Sequence, residues 1–336
     1  MKTYLLTPNG NFYKANLHCH SIISDGKRTV DELKKMYMEQ GYSAIAFTDH
    51  QVFLTHNDLT DKDFVALNGY EVDINGGTTA LGARQVCHFC CVALDDKLET
   101  QRIYYESRHL TKNIDAAKLD PDQSYREREY TPEYISALMQ EARDNGFFVT
   151  YNHPAWSLEN FEQYGHYHGM HAMEIVNYGC IEVGYEDHNE SAYDEMIMGG
   201  ERIFCIATDD NHNGRNDSFG GFTMIKADEL SYKALADALL AGNFYASEGP
   251  EIKELWYEDG RVYIRSSEAV KVTYVAGRRK ARAAYPDGAD TLTEASFEVV
   301  PEDICFRLTV FDKEGRKAYT NAYFIDKLPQ SEQEQA

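Results

Sequence analysis

The feature that most constrains the fold is a regular alternation, over roughly the first 245 residues, of short apolar runs with stretches of helical periodicity. This alternation is typical of β/α architecture, in which strands and helices follow one another along the chain. A length of 336 residues is enough for two domains, or for one large barrel with an appendage. The apolar runs predict strands over residues 44–48, 86–94, 147–151, 172–177 and 203–208.

Helix signals stand between these runs. Thr29 and Glu32 form a capping box ahead of an amphipathic stretch. Thr131 precedes a proline at the first position of a second predicted helix. A third helix is predicted over 231–241, with Gly242 as its stop signal. We therefore predict an α/β domain over residues 1–249.

The pattern changes after residue 249. Turn residues at 258–260 and 313–315 separate runs of alternating polarity, which predicts hairpins. Residues 250–327 are therefore expected to form a small antiparallel β-sandwich domain, followed by a polar tail over 328–336. The charged, aromatic-rich segment 95–130 is predicted to be an insertion; a lid over the strand ends and a plain surface excursion fit it equally well.

Composition excludes several classes of partner. The formal net charge of −22 argues against binding to duplex nucleic acid, because so acidic a surface repels phosphate backbones. No apolar run approaches the ~18 residues that a membrane span needs, and the first residues lack the apolar core of a signal peptide. The 7 cysteines, an odd number placed mostly in apolar runs, fit reduced and buried thiols. We therefore expect a cytoplasmic protein without membrane contact; its oligomeric state stays open.

Residues able to bind metal ions end four of the apolar runs. They occur in the strings LHCH at 17–20, FTDH at 47–50, YNHP at 151–154 and ATDDNH at 207–212. The C-terminal ends of parallel strands in a barrel meet at one mouth, so these side chains are expected to converge. With three further residues, the candidate metal ligands are His18, His20, Asp25, His50, Glu71, His88, His153, Asp210 and His212.

The spacing and chemistry of these residues indicate more than one ion. Side chains two apart in a strand face the same way, so His18 and His20 can share an ion while Cys19 points away. Imidazole and carboxylate ligands without thiolate suit zinc, manganese or iron. Nine ligands exceed the needs of one ion, so two or three divalent ions with a bridging carboxylate are implied.

The motifs LHCHSIISDG, FTDH, GYEV, the His88 run, NHP and the closing D-x-H together resemble the polymerase and histidinol phosphatase (PHP) superfamily. The resemblance covers residues ~14–250, and the run GNFYASEGP followed by a β domain is similar to stand-alone PHP phosphoesterases. It implies a distorted (β/α)7 TIM-like barrel that holds up to three metal ions.

The same resemblance implies how the ligands are shared. One ion would take His18, His20, Glu71 and Asp210, a second Asp25, His50 and His212, and a third His88 and His153 with Glu71 bridging. Some relatives carry His at the position of Asp25. A carboxylate there makes manganese or iron more plausible than zinc alone.

The function expected from these residues is hydrolysis of a small phosphorylated substrate. Clustered dications supply hydroxide at neutral pH and clamp phosphoryl oxygens, which favours in-line attack of metal-bound hydroxide at phosphorus. The catalytic water would be held by His18, His20, Glu71 and Asp210. Arg84 and Arg215 lie near site residues in the sequence and are candidate phosphate binders, although an arginine in such a position is more often a solvated surface residue.

Four polar neighbours have open roles. Asp49 either orients a ligand imidazole or is a surface acid, and Asp209 is expected to be structural because alternation turns it away from Asp210. Glu174 and Asn177 are candidates for a layer behind the ligands.

Three other functions stay open. The first is hydrolysis of a carboxylic ester or amide by the same metals. The second is a non-catalytic, metal-stabilised binding module. The third is an exonuclease or polymerase-associated module, which would need a basic groove that the sequence lacks.

Overall fold

The computed structural model describes residues 2–104, 113–121 and 128–328. Within those residues the α-helices are α1 Val30–Met38, α2 Pro132–Asp144, α3 Phe161–Tyr164, α4 Tyr178–Glu182, α5 Glu190–Met198 and α6 Tyr232–Ala241. The strands of the first three-quarters are β1 Thr3–Tyr4, β2 Asn11–Asn16, β3 Ala44–Phe47, β4 Val65–Thr78, β5 Arg84–Ala93, β6 Thr100–Gln101, β7 Lys118–Leu119, β8 Phe147–Tyr151, β9 Ala172–Asn177, β10 Phe204–Thr208, β11 Phe222–Ala227 and β12 Phe244–Ser247. The remaining strands are β13 Ile252–Glu258, β14 Arg261–Ala269, β15 Lys271–Ala276, β16 Ala281–Ala284, β17 Leu292–Glu298, β18 Cys305–Phe311, β19 Lys317–Tyr319 and β20 Tyr323–Phe324.

Local sequence signals set the helix ends as predicted. The Thr29 hydroxyl accepts from the Glu32 N–H at 3.2 Å, and the Glu32 carboxylate accepts from the Thr29 N–H at 2.9 Å, which is the predicted capping box of α1. The Thr131 hydroxyl caps α2. Helix α6 ends at Gly242, whose φ of 71° lies in the left-handed region that glycine adopts without strain. These three predictions are confirmed.

The fold is built on one large mixed sheet. Its strand order is β10-β9-β8-β5-β4-β3-β2-β11-β12-β19-β18-β15-β16, with β20 paired to β18. Strands β2, β3 and β4 are parallel to one another, as are β8, β9 and β10. The chain beyond β2 meets the chain beyond β10 through a parallel bridge between Cys19 and Asn211. The ends of these parallel strands therefore lie side by side.

Strand β5 departs from the parallel order that the sequence was expected to produce. It pairs antiparallel with both β4 and β8, because β4 and β5 form a long hairpin. His88 consequently lies within a strand, directly opposite Asp73 of β4, rather than at the C-terminal end of a parallel strand. The α/β class with a large sheet and few helices is confirmed.

The C-terminal region is antiparallel throughout its described pairings, as predicted. A second sheet of order β1-β13-β14-β17 shares a hydrophobic core with β15 and β18, built from residues such as Leu255, Ile264 and Leu308. Two contacts tie this region to the rest of the chain. Strand β1 pairs with β13, and β19 pairs with β12 through Ala246 and Tyr319. The limits at residues 249 and 327 stay predictions.

The described parts of the 95–130 insertion pack beside the loop that follows His50. Gln101 accepts from the Phe53 N–H at 2.9 Å and donates to the Gln51 carbonyl at 2.8 Å. Arg128 donates to the Gln51 side chain at 2.8 Å. Residues 105–112 and 122–127, with most of the predicted polar tail, lie outside the described residues, so the lid stays a prediction.

The cysteine prediction agrees with the structure. The 7 cysteines are free and buried. Burial raises the pKa of the Cys90 thiol to about 11, which keeps it protonated at neutral pH. In the described part of the chain, no helix has both the length and the apolar character that a membrane span requires.

Candidate metal centre

The structure brings all nine candidate ligands into one cluster. His18, His20 and His50 follow β2 and β3, while Glu71 and His88 project from the β4–β5 hairpin. The other side chains follow β8 and β10 or stand in the turn after His20. Each of the nine has a nitrogen or oxygen atom within 3.9 Å of another member of the cluster.

Glu71 lies at the centre. One carboxylate oxygen, Oε1, is 3.3 Å from His18 Nε2, 3.1 Å from His88 Nδ1 and 3.3 Å from His153 Nε2. The other, Oε2, is 2.9 Å from His50 Nδ1 and 3.5 Å from His20 Nε2. A carboxylate whose two oxygens face separate groups of imidazoles has the geometry of a bridging ligand.

Asp210 is a second carboxylate that lies close to several imidazoles. Its Oδ1 is 3.2 Å from His18 Nε2 and 3.0 Å from His20 Nε2, and these three residues form one compact group of potential ligand atoms. The backbone φ of Asp210 is 50° and that of His153 is 28°, values that L-residues rarely adopt. Strained backbone of this kind clusters at functional sites. Both residues directly extend buried strands into the cluster.

A further group joins His50, His212 and Asp25 with His20. Their potential ligand atoms lie within 4.8 Å of one another. Asp25 reaches this group through a tight turn over residues 21–26, where a Cβ on Gly26 would stand 2.5 Å from the His20 carbonyl oxygen. The turn therefore requires glycine, and it places Asp25 3.4 Å from His212 Nε2.

A layer of polar groups holds the imidazoles in position. Glu174 Oε1 is 2.7 Å from His18 Nδ1, so the Nδ1–H donates outward and Nε2 faces the cluster. His153 Nδ1 lies 3.2 Å from the Ser157 hydroxyl, and His212 Nδ1 lies 3.1 Å from the Asp210 carbonyl oxygen. This pattern is typical of metal-binding histidines, whose second nitrogen is fixed by a hydrogen bond.

Glu174 and Asn177 thus occupy the supporting layer expected of them. Besides His18, Glu174 accepts from the Thr208 hydroxyl at 2.7 Å and from the His153 backbone N–H at 3.0 Å. Asn177 donates to Asp210 Oδ2 at 3.1 Å. The residues that the sequence did not single out include Asn152, which donates to Glu71 Oε1 at 3.0 Å. Its place directly before His153 was the only available signal.

Asp49 and Asp209 have structural roles. Asp49 accepts hydrogen bonds from the backbone and hydroxyl groups of Ser21 and Ser24, so it shapes the turn that carries Asp25 rather than orienting an imidazole. Asp209 accepts from the Tyr37 hydroxyl and from the backbone N–H groups of residues 219–221. The expectation that Asp209 is structural fits these contacts, whereas the orienting role of Asp49 does not.

Three buried ligand atoms have no hydrogen-bond partner among the described residues: Glu71 Oε2, Asp210 Oδ1 and His50 Nδ1. They are nonetheless close to other ligand atoms, for example His50 Nδ1 to Glu71 Oε2 at 2.9 Å, without the alignment of a hydrogen bond. Buried polar atoms normally have a hydrogen-bond partner, so atoms without one indicate a site where an ion can bind. The donor set of imidazole nitrogens and carboxylate oxygens fits divalent zinc, manganese or iron.

The electrostatics of the cluster favour bound cations. Burial opposes ionisation of Glu71, but the imidazoles of His18, His88 and His50 outweigh it and hold the pKa of Glu71 well below its usual range. At His50 burial disfavours the cation, yet Glu71 raises its pKa to about 9. The buried carboxylates therefore demand positive charge, which divalent ions would supply.

A cavity of about 550 Å³ opens over the cluster, a volume typical of small-molecule sites. Its wall includes Trp156, which packs edge-on against His153 with ring centroids 5.0 Å apart. Arg84 and Arg215 also line the cavity, and both are exposed. Arg215 is 3.8 Å from Asp217, so neither guanidinium is locked in a close ion pair among the described residues.

Comparison with known proteins adds two structures of low similarity. No protein-family model and no curated protein matches the sequence. A two-domain protein from Bacteroides vulgatus, containing a predicted PHP-like metal-dependent phosphoesterase, matches with a TM-score of 0.45 and 15% identity over 95% of this chain and 96% of that one. A candidate metal-dependent phosphoesterase from Bifidobacterium adolescentis matches with a TM-score of 0.37 and 13% identity over 62% of this chain and 92% of that one.

Proposed function

We propose that the protein is a metal-dependent phosphoesterase of the PHP type that hydrolyses a small phosphorylated molecule. The observation that carries the proposal is the largely buried cluster of nine imidazoles and carboxylates, in which Glu71 Oε2 and Asp210 Oδ1 have no hydrogen-bond partner within the described ranges. It opens to a cavity of about 550 Å³, which suits a small substrate.

We further propose a barrel and a sandwich for the two parts of the fold. The seven strands from β10 to β2 would form a distorted (β/α)7 barrel, supported by the bridge between Cys19 and Asn211 at its seam. The two C-terminal sheets would form a β-sandwich over residues 250–327, supported by their shared core.

We assign two or three divalent ions, of zinc, manganese or iron, to the ligand sets given above. His20 is close to both the Asp210 and the Asp25 groups, so it could serve either ion. Such ions lower the pKa of coordinated water and neutralise charge that develops on phosphoryl oxygens.

The chain's own groups would bind and orient the substrate. Glu71 would hold neighbouring ions at a fixed separation, since its oxygens face different histidines. Arg84 and Arg215 would donate to the non-bridging phosphate oxygens from the cavity wall, because a guanidinium matches that geometry. The buried floor around His18 and His153 excludes bulk water and thereby strengthens these interactions.

The test is a substrate panel with protein stripped of metal and reloaded with manganese, iron or zinc. We expect hydrolysis of at least one class of phosphomonoester or phosphodiester, with two or three ions per chain by elemental analysis. A His153→Ala variant should lose one ion while staying folded. His168→Ala is the matched control, because His168 is exposed and pairs with Glu201 away from the cluster.

Two results would overturn the proposal. Turnover of carboxylic esters or amides, but of no phosphorylated compound, would favour a different metal-dependent hydrolase. Full metal loading without turnover of any ester would favour a binding module.

A further inference from the structure

One carboxylate in the cavity has no role in the proposed ligand sets. Asp73 lines the cavity, and its side chain is on the same face of β4 as that of Glu71, two residues earlier. Its register partner across the hairpin is His88, so these two side chains also share a face. Asp73 therefore lies next to the candidate metal ligands, two residues further along β4 than Glu71.

Asp73 is buried but incompletely bonded. Only 3% of the residue is exposed. Its Oδ2 accepts a hydrogen bond from the Asn75 side chain at 2.7 Å, whereas Oδ1 has no partner among the described residues. Its backbone carbonyl accepts from Arg128 and, at 3.4 Å, from Gln51, which fixes the main chain. The side chain is thus held in place with one acceptor atom unused.

Asp73 is adjacent to His88 but belongs to none of the close groups of potential ligand atoms among the described residues. No group of three described residues with metal-competent atoms close enough to share an ion includes Asp73. A repeat of two residues along a strand is about 7 Å, so the backbone of Asp73 lies that far from Glu71, while its register partner is His88. Asp73 is instead within reach of the alcohol part of an ester whose phosphoryl group rests on the metal cluster.

We propose that Asp73 determines specificity by accepting a hydrogen bond from a hydroxyl or ammonium group in the alcohol part of the substrate. This inference rests on the proposed phosphoesterase function and deepens it. A buried acceptor left unpaired penalises any ligand that lacks the matching donor. Substrates with a donor about two to four carbons from the ester oxygen are therefore selected over alkyl phosphates.

The test measures kcat/KM of the metal-loaded protein for three esters: butyl phosphate, 4-hydroxybutyl phosphate and 4-aminobutyl phosphate. The corresponding three-carbon esters are measured in parallel. The wild type should show a higher kcat/KM for the donor-bearing esters, by roughly 10- to 100-fold. Asp73→Ala should abolish the preference. Asp73→Asn should keep a preference for the hydroxyl ester, since an amide oxygen still accepts, and lose any extra preference for ammonium.

Each variant is also tested for metal content, which should stay at the wild-type value. The kcat/KM for butyl phosphate should rise in Asp73→Ala, because the unpaired acceptor that penalises this ester is gone. Loss of an ion from Asp73→Asn would identify a metal ligand and overturn the inference. Asp63→Asn, at an exposed position far from the cavity, is the matched control.

Binding separates a failure of this inference from a failure of the proposed function. By calorimetry, 4-aminobutylphosphonate and 4-hydroxybutylphosphonate should bind the metal-loaded wild type more tightly than butylphosphonate, and Asp73→Ala should bind all three equally. Equal affinities in the wild type overturn the role of Asp73 whatever the turnover. Absence of ester hydrolysis with a Kd preference retained overturns the phosphoesterase proposal and leaves the donor site standing.

Discussion

Two buried carboxylate sites of this protein differ in how their oxygens are satisfied. In the C-terminal region, Asp303 accepts from the Tyr274 hydroxyl at 2.7 Å, from Arg278 at 2.8 Å and from Lys280 at 2.8 Å. In the candidate metal centre, Glu71 is surrounded by imidazoles, yet its Oε2 has no hydrogen-bond partner among the described residues.

The difference distinguishes a carboxylate that stabilises the fold from one that is positioned to bind an ion. The chain supplies Asp303 with its own cations, so the charge is compensated once the domain folds. Around Glu71 the chain supplies imidazoles, which can either carry protons or bind metal ions. The comparison predicts that substitutions at the first site change stability, whereas those at the second change metal content and activity.

The largest expected effect comes from Glu71→Gln. An amide offers one acceptor and cannot bridge two cations, so we expect the loss of at least one ion. We also expect a fall in kcat/KM well beyond the roughly 10- to 100-fold typical of supporting residues. Elemental analysis and steady-state kinetics measure both. Glu268→Gln, the same change at an exposed position, should match the wild type. A fully loaded and active Glu71→Gln protein would remove the contrast with Asp303.

Glu159 extends the comparison, since its buried carboxyl accepts, among the residues that the structure describes, only from neutral hydroxyls: Tyr130 and Tyr151 at 2.6 Å and Tyr167 at 2.5 Å. Burial raises its pKa from the ordinary 4.5 to about 7. The folded state therefore binds the proton more tightly than the unfolded state. Its contribution to stability is complete below pH 4.5 and is lost as pH rises through 7, by about 3 kcal/mol.

Urea unfolding of the wild type and of Glu159→Gln across this pH range measures the effect. The variant should show a smaller decline in unfolding free energy between pH 4.5 and 7, with Asp187 and Asp209 responsible for part of the remaining slope because burial raises the pKa of each to about 6. Identical slopes in the two proteins would contradict the assignment to Glu159.

Asp303→Ala tests the structural side of the comparison. It leaves Lys280 and Arg278 without their shared partner, and Arg278 is partly exposed, so the loss should be about 2–3 kcal/mol, below that of a fully buried pair. Chemical denaturation reports this value, with the exposed Asp290→Ala as control. Activity per folded molecule and metal content should not change. A loss of activity in a fully folded Asp303→Ala protein would link the two regions functionally.

The smallest effect is expected from Glu174→Gln, behind the metal ligands. An amide keeps only one accepting oxygen. If that oxygen stays at Oε1, beside His18 and Thr208, the NH2 group replaces Oε2 and cannot accept from the His153 N–H or the Asn177 amide. Metal affinity or activity should fall about 10- to 100-fold, with the fold retained. Chelator competition measures the affinity. Unchanged affinity together with a large loss of stability would place Glu174 in the same class as Asp303.

The sequence predicted the elements that local chemistry determines. The capping box at Thr29, the stop at Gly242 and the strand over 172–177 depend on neighbours in sequence, and the structure contains them. Convergence of the nine candidate ligands also followed, because apolar runs that end in polar strings indicate which strand ends meet. Their assignment to ions stays a prediction.

Long-range pairing could not be predicted in the same way. Alternation of polarity shows which face a residue occupies but not the direction of its strand, so the antiparallel β5 was missed. Asp49 follows the ligand pattern in sequence, yet its partners Ser21 and Ser24 come from another strand end. Asp73, two residues beyond Glu71, could have been found by alternation, but only the structure shows that its Oδ1 has no partner in the described part of the chain.

The pairing of Thr3–Tyr4 with Ile252–Glu258 has a practical consequence for anyone dissecting this molecule. A shortened chain ending near residue 250 would strip the partner from the first strand and turn Leu6 and Tyr245, both members of the C-terminal core, towards water. Isolating the half that contains the candidate metal ligands therefore requires polar replacements at those two positions. A purification handle on the amino end would extend from the sheet that contains Ile252–Glu258.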